Sequence, residues 1–200
     1  MALKSHFSKN ALIEAGCDEA GRGCLAGPLF AAAVIFPHDY KNGLLNDSKQ
    51  LSKSQRELLR EVIKRDALAY SVVSVSEIVI DQINILNASF RGMNLAVKGL
   101  AVKPELLLID GNRFINETDI PHHCIIKGDA KYLSIAAASI LAKTYRDDFM
   151  DRLDEKYPLY GWKQNKGYPT KKHLESLAKL GRTPFHRKTF RVKGQLKLEF

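Results

Sequence analysis

Residues 12–23 read Leu-Ile-Glu-Ala-Gly-Cys-Asp-Glu-Ala-Gly-Arg-Gly. The segment from Leu12 to Cys17 is short and mostly apolar, the pattern of a buried strand that ends at Asp18. Asp18 and Glu19 then place two carboxylates side by side, and a small shared site would raise a pKa unless a cation sat between them. Gly21 and Gly23 let a ligand approach the main chain closely, and Arg22 between them is a permanent cation suited to phosphate. Alone, an Asp-Glu pair is usually a solvated turn and Gly-Arg-Gly a loop. The reading turns on whether other acids and a basic surface join them.

Outward from this segment, the chain alternates strand and helix signals. Pro28 to Pro37 holds Leu-Phe-Ala-Ala-Ala-Val-Ile-Phe, a second strand forming a hairpin with the first. Ser52 and Gln55 make a Ser-x-x-Gln capping signal for a helix, with Leu58, Leu59, Val62 and Ile63 on one face. Tyr70 to Val75 is a β-branched third strand. Ser76 caps a short helix, and a longer one runs from Asn87 to Lys98 with Gly99 past its end. Leu106 to Ile109 reads as a central buried strand closing on Asp110-Gly111-Asn112, and Cys124 to Ile126 as a shorter strand closing on Lys127-Gly128-Asp129. A long helix from Leu133 to Lys156 follows, with small residues at 136–139 suited to close packing on a sheet. Thr170 caps a last helix that Gly181 ends. This order predicts one α/β domain over residues 1–200 with a mixed sheet flanked by helices. Residues 1–157 would form the core and 158–200 a basic C-terminal helical extension.

The net charge of +9 is unevenly placed. From Pro158 to Phe200 there are eleven Lys and Arg against two acids, while the remaining residues balance at twenty of each. Tyr160, Trp162, Tyr168, Phe185 and Phe190 lie among those cations, so the tail is expected to offer stacking beside phosphate contacts. Nucleic acid fits this surface better than a membrane does, and no apolar run reaches the length of a membrane span. Met1 to Asn10 has no apolar signal core. Cys17, Cys24 and Cys124 have neither disulfide nor zinc spacing and read as reduced thiols of a cytoplasmic protein.

Asp18, Glu19, Asp110 and Asp129 each lie at or just past a strand end, where open α/β sheets form their ligand crevice. Asp110-Gly111 also suits an ordinary strand-ending turn, and Asp129 a helix cap. Four acids gathered without His or Cys would instead suit hard ions, Mg²⁺ or Mn²⁺, and two such ions about 4 Å apart serve phosphodiester hydrolysis. Asp147 and Asp148 sit mid-helix beside Arg146 and Arg152, the pattern of a solvated helix face.

The segments DEAGRG (18–23), DSK (47–49), DGN (110–112), KGD (127–129), SIAAASILAK (134–143), KGY (166–168) and PFHRKTF (184–190) occur in this order. Together they resemble the type-2 ribonuclease H family in its ribonuclease HII form, over residues 12–190. The resemblance implies a ribonuclease H-like fold, with Asp18, Glu19 and Asp110 as core metal-binding carboxylates and Asp129 as the fourth acid. It implies that Gly21, Arg22 and Gly23 grip the strand around a ribonucleotide 2′-hydroxyl, the group that separates RNA from DNA. Tyr168 resembles the tyrosine that stacks on the following deoxynucleotide sugar, and Lys49 and Ser139 are expected on backbone phosphates or in structural roles. The implied substrates are RNA–DNA hybrids and duplex DNA containing single ribonucleotides, cut 5′ to the ribonucleotide with two Mg²⁺ or Mn²⁺ ions by a monomer. Pro169 biases Tyr168 toward extended geometry, and His186 and Arg187 are expected to meet phosphate or the sheet, with no catalytic role for His186. Two other readings differ in kind: a related metal-dependent DNA nuclease or recombinase with no need of a 2′-hydroxyl, and a non-catalytic nucleic-acid-binding module.

Overall fold

Alternation along the central strands divides the core between two faces of one sheet. The computed structural model describes residues 3–45 and 51–191. Lys49, the rest of the Asp47–Lys49 motif and the Gln195–Phe200 tail lie outside the described residues. Strand β1 (Glu14–Ala20) pairs antiparallel with β2 (Leu29–Ile35), and β2 with β3 (Ala69–Val75). On the other side β1 runs parallel to β4 (Leu106–Asp110), and β4 to β5 (His122–Ile125). The five-stranded sheet has the order β3-β2-β1-β4-β5. It is the mixed sheet expected from the sequence, and the centre is β1.

Helices α1 (Lys53–Asp66), α2 (Glu77–Lys98) and α3 (Leu133–Lys156) cover it. Ala15, Cys17, Ala31, Ala33, Leu107 and Ile109 point to one face and pack with Ile80, Ala88, Met93 and Val97 of α2. Phe30, Ala32 and Val34 point to the other, under Leu59 and Ile63 of α1 and Ala137, Ile140 and Leu141 of α3. The period of two along each strand is what separates the sets. Small residues let α3 sit close to β1: a Cβ on Gly16 would lie 2.3 Å from the Ser134 carbonyl carbon and 2.4 Å from the Ile135 nitrogen. The register of the acid-bearing strand against α3 is therefore fixed by sterics.

Helix boundaries follow their caps. Ser52 and Gln55 make the full capping box at α1. Only Leu59 and Ile63 of its expected apolar face are buried, whereas Leu58 is exposed, because α1 meets the sheet along a narrow stripe. Ser76 caps α2, which breaks at Asn84 (φ 64°), whose side-chain oxygen accepts from the N–H groups of Leu86 and Asn87 at 3.0 and 3.1 Å. The expected short and long helices are thus two segments of one run.

After α3 come α4 (Trp162–Asn165) and α5 (Lys171–Leu180), the latter capped by Thr170. Here the expected row of stacking aromatics is corrected. Tyr160 and Trp162 are buried in a cluster with Ala26, Met150 and Leu153, and Phe185 packs against it. Tyr168, in contrast, is 42% exposed. The solvated face expected around Asp147 and Asp148 is corrected at Asp147 and Arg146, while the Asp148 side chain and Arg152 do face solvent. Asp147 is buried and accepts from Lys143 at 2.6 Å, Asp148 pairs with Arg60, and Arg146 is fully buried. Among the described residues no helix is long and apolar enough to cross a membrane.

Candidate active site

Because β1 and β4 are adjacent and parallel, their C-terminal ends bring Asp18, Glu19 and Asp110 to one edge of the sheet. Asp18 is buried, and its Oδ1 accepts the Glu19 N–H at 2.7 Å. The buried Ser139 of α3 hydrogen bonds to the Asp18 carboxylate, so this serine faces the acids from inside the protein. Burial lifts the Asp18 carboxyl well above the usual range, and the neighbouring Glu19 and Asp110 charges add to the lift. Burial also raises Glu19; the Arg22 guanidinium pulls it down and Asp110 pushes it up. Arg22 reaches Glu19 at 3.1 Å from a largely exposed side chain, and Ser89 of α2 touches Glu19 from below.

Asp110 Oδ1 accepts the N–H of Gly128 at 2.7 Å, which ties the end of β4 to the 3-10 turn Gly128–Ala130. Asp129 occupies that turn and is buried. The four acids predicted from sequence therefore come to one region, three on strand ends and the fourth on a turn held by one of the three. All their donors are oxygens, and the pressure on Asp18 is what a cation would relieve, so the set suits a hard divalent ion. Among the described residues no three His, Cys, Asp or Glu side chains stand close enough together to cage a metal as they are. Fit is thus one of donor type and charge, with Glu19 held by Arg22 and Asp110 by an amide.

Beside the acids, the turn from Gly21 to Pro28 is held from below by two buried arginines. Arg146 of α3 donates to the carbonyls of Pro28 (3.1 Å), Lys166 (2.8 Å) and Ala26 (3.2 Å). Arg187 donates to the carbonyls of Gly21 (2.8 Å), Arg22 (2.9 Å) and Gly27 (2.9 and 3.1 Å). Gly21 has φ +97°, and a Cβ there would lie 2.1 Å from Arg146 Nε. Backbone bonds from Leu25 to Gly167 and from Gly27 to Phe185 complete the clamp. Tyr168 follows the left-handed pair Lys166 and Gly167, and its ring lies 3.8 Å from where a Gly23 side chain would begin.

The Tyr168 carbonyl accepts from the Thr170 N–H and is 2.9 Å from His173 Nδ1, and His173 Nε2 lies 3.0 Å from Trp162 Nε1 and 3.1 Å from His186 Nε2. The Thr183 N–H donates to His186 Nδ1, so His186 carries its proton on Nε2 when neutral. Burial pushes His186 down to about 4.

Sequence reasoning missed Ser89, Arg146 and His173 as parts of the site's framework, and expected Arg187 on phosphate or the sheet where it instead holds the carbonyls of Gly21, Arg22 and Gly27. For Arg146 a signal existed: it falls in the buried stripe of Ala142, Met150 and Leu153 on α3, where an arginine demands partners. No local signal pointed Arg187 to its carbonyl partners, since they lie far away in sequence.

Acids at the ends of adjacent parallel strands, on a mixed sheet covered on both faces, define the ribonuclease H class of nuclease. Solved structures agree: the ribonuclease H2 of Pyrococcus horikoshii is similar with a TM-score of 0.74 and 29% identity, over 88% of this chain and 93% of that one. The RNase HII of Archaeoglobus fulgidus, solved in complex with PCNA, is similar with a TM-score of 0.72 and 30% identity, over 93% of this chain and 98% of that one. The family model for Ribonuclease HII matches residues 15–193. The Ribonuclease HII of Bacteroides thetaiotaomicron is 65% identical over 191 residues, covering 94% of this chain and 96% of that protein. The chain belongs to the ribonuclease HII family and is an endoribonuclease of the ribonuclease H kind.

Proposed function

We propose that this enzyme hydrolyses the RNA strand of RNA–DNA hybrids and cuts duplex DNA on the 5′ side of a single embedded ribonucleotide, leaving 5′-phosphate and 3′-hydroxyl ends. The observation that carries this reading is one juxtaposition. Asp18, Glu19 and Asp110 press charge on one another at the ends of β1 and β4, and the exposed Arg22-Gly23 turn lies directly beside them. Asp18, Glu19, Asp110 and Asp129 would hold two Mg²⁺ or Mn²⁺ ions, which when bound supply Lewis acidity and a more acidic water.

The chain's own residues do the rest. Ser139 and the Glu19 amide fix the Asp18 carboxylate, and the Gly128 amide fixes that of Asp110. Arg22 meets phosphate once it leaves Glu19. The main chain of Gly21-Arg22-Gly23 meets the ribose, and Tyr168, exposed beside Gly23, stacks on the next sugar. A DNA-only nuclease would need the acids but gives no role to a main-chain reader placed at their side.

The test is a labelled duplex carrying one ribonucleotide, compared with the same duplex made wholly of DNA, with divalent metal or EDTA. Metal-dependent cutting 5′ to the ribonucleotide alone is expected. Asp110→Asn should lower the rate by about a hundred- to a thousandfold, since it removes the charge of a carboxylate that would hold the metal stabilising the transition state, while hybrid binding survives. Full activity in that variant, or equal cutting of both duplexes, refutes the reading.

A further inference from the structure

We infer that Arg187, far from the acids in sequence and buried beneath the turn, is a positioning residue that aims the ribose-reading amides and thereby sets the preference for a ribonucleotide over a deoxyribonucleotide. The inference rests on the reading of Gly21–Gly23 as the ribose contact. Its starting point is the peptide plane. Arg187 Nη2 donates to the Gly21 carbonyl at 2.8 Å and Nη1 to the Arg22 carbonyl at 2.9 Å. No peptide bond among the described residues is cis. In a trans peptide the C=O and N–H point in opposite directions. When the Gly21 carbonyl faces the buried guanidinium, the Arg22 N–H of the same peptide faces away from it. The Arg22 carbonyl fixes the Gly23 N–H in the same sense.

Arg22 and Gly23 are exposed, and among the described residues neither N–H donates to another group of the protein. Two successive N–H groups turned to one side make a concave donor pair for an oxygen. A ribose 2′-hydroxyl supplies such an oxygen and a deoxyribose does not. The pair is aimed by the fork geometry of the guanidinium, which spans two carbonyls at once. A lysine ammonium keeps the charge but is a compact point donor on a flexible stem.

Arg187 is itself immobile. It is 0% exposed, its own N–H donates to the Leu25 carbonyl at 2.8 Å, and its carbonyl accepts from Arg182 at 2.6 Å. The next two residues are fixed to α2, where Asp81 accepts from the N–H groups of Lys188 and Thr189 at 2.8 and 3.0 Å. The turn is thus oriented by a side chain that never reaches the substrate.

The experiment measures binding in EDTA, where cleavage is silent, by fluorescence anisotropy on two duplexes that differ by one 2′-hydroxyl. Wild type is expected to prefer the ribonucleotide duplex. Arg187→Lys should lose about tenfold of that preference, the worth of one hydrogen bond of a charged donor, with affinity for the all-DNA duplex retained. A preference kept in full, or equal loss on both duplexes, overturns the positioning role. If wild type has no preference, the ribose-contact reading fails first and the inference with it. Hydrogen exchange on the wild-type protein covers the case in which the variant does not fold. The Arg22 and Gly23 amides should be protected by the ribonucleotide duplex and not by DNA, and equal protection by both overturns the inference.

Discussion

Replacing Gly21 with alanine sets two separate demands against the fold, and the structure gives a size to each. At φ +97° an alanine is held in a region that L-residues rarely occupy, which costs about 1–3 kcal/mol. Its Cβ would then stand 2.1 Å from Arg146 Nε, a contact that no rotation of the methyl group relieves. Arg146 is fully buried and holds the carbonyls of Pro28, Lys166 and Ala26, so moving it breaks bonds of a charged donor worth about 1.5–3 kcal/mol each. Loss of even one puts the total near 3–6 kcal/mol, a large part of the roughly 5–15 kcal/mol that holds a domain folded. For a chain of this size that lowers Tm by roughly 6–24 °C. Gly23→Ala is the control. Its Cβ would meet nothing closer than Tyr168 at 3.8 Å, so Tm should stay within about 2 °C of wild type. Thermal unfolding by circular dichroism measures both. Equal melting of the two variants would refute the account of the turn as clamped from below.

Two further expectations concern buried charge. Asp18→Asn should raise Tm in EDTA at pH 8, because it removes a buried carboxylate pressed by Glu19 and Asp110 while keeping an oxygen for the Glu19 amide, and it should abolish cleavage. A lower Tm would mean that the acids are not strained without a cation. For His186 the folded pKa is lowered from 6.5 to about 4, so the unfolded chain takes up a proton first as pH falls. Stability is unaffected above pH 6.5 and is lost through the window down to pH 4, by at most about 3 kcal/mol. His186→Gln should flatten the fall of Tm between pH 7 and 4, and an unchanged slope would contradict the buried neutral imidazole.

How much of this was legible follows from the range of each signal. Strand and helix positions were, because the apolar runs of Leu29–Ile35 and Leu106–Ile109 and the Ser52–Gln55 box are local. The acids were legible for the same reason, each lying where an apolar run stops. Their gathering at strand ends was expected as well, but which strands bring them together was not legible, since that depends on β4 pairing parallel to β1 across a long crossover. The tail misled: Tyr160 and Trp162 stand among lysines in sequence yet face inward, because α4 and α5 fold back over Met150 and Leu153 and need an apolar side of their own. Arg187 could be singled out but its partners could not, because they are carbonyls brought to it by tertiary structure.

The two kinds of buried charge here are kept apart, and that separation bears on how a cation enters. Arg146 and Arg187 could have neutralised the acids, yet their guanidinium groups donate to carbonyls, so their charge is solvated by the turn. A buried Arg–Asp pair would oppose any ion, since breaking one by removing a partner costs about 3–5 kcal/mol. The cation that does pair with Glu19 is Arg22, whose side chain is 53% exposed. Glu19 itself is only 7% exposed, so it is the arginine end of the pair that can swing into solvent. The proposed ions would therefore displace a partner that can leave for solvent and meet carboxylates already pressed together. Arg22, released, would stand beside the phosphate those ions bring. The Gly21–Gly23 turn lies between the two charge systems, held by the arginines on one side and adjoining the acids on the other. Recognition of the ribose by its main chain and recruitment of the cation by release of its side chain would then be coupled through one residue, so Arg22 should matter to both.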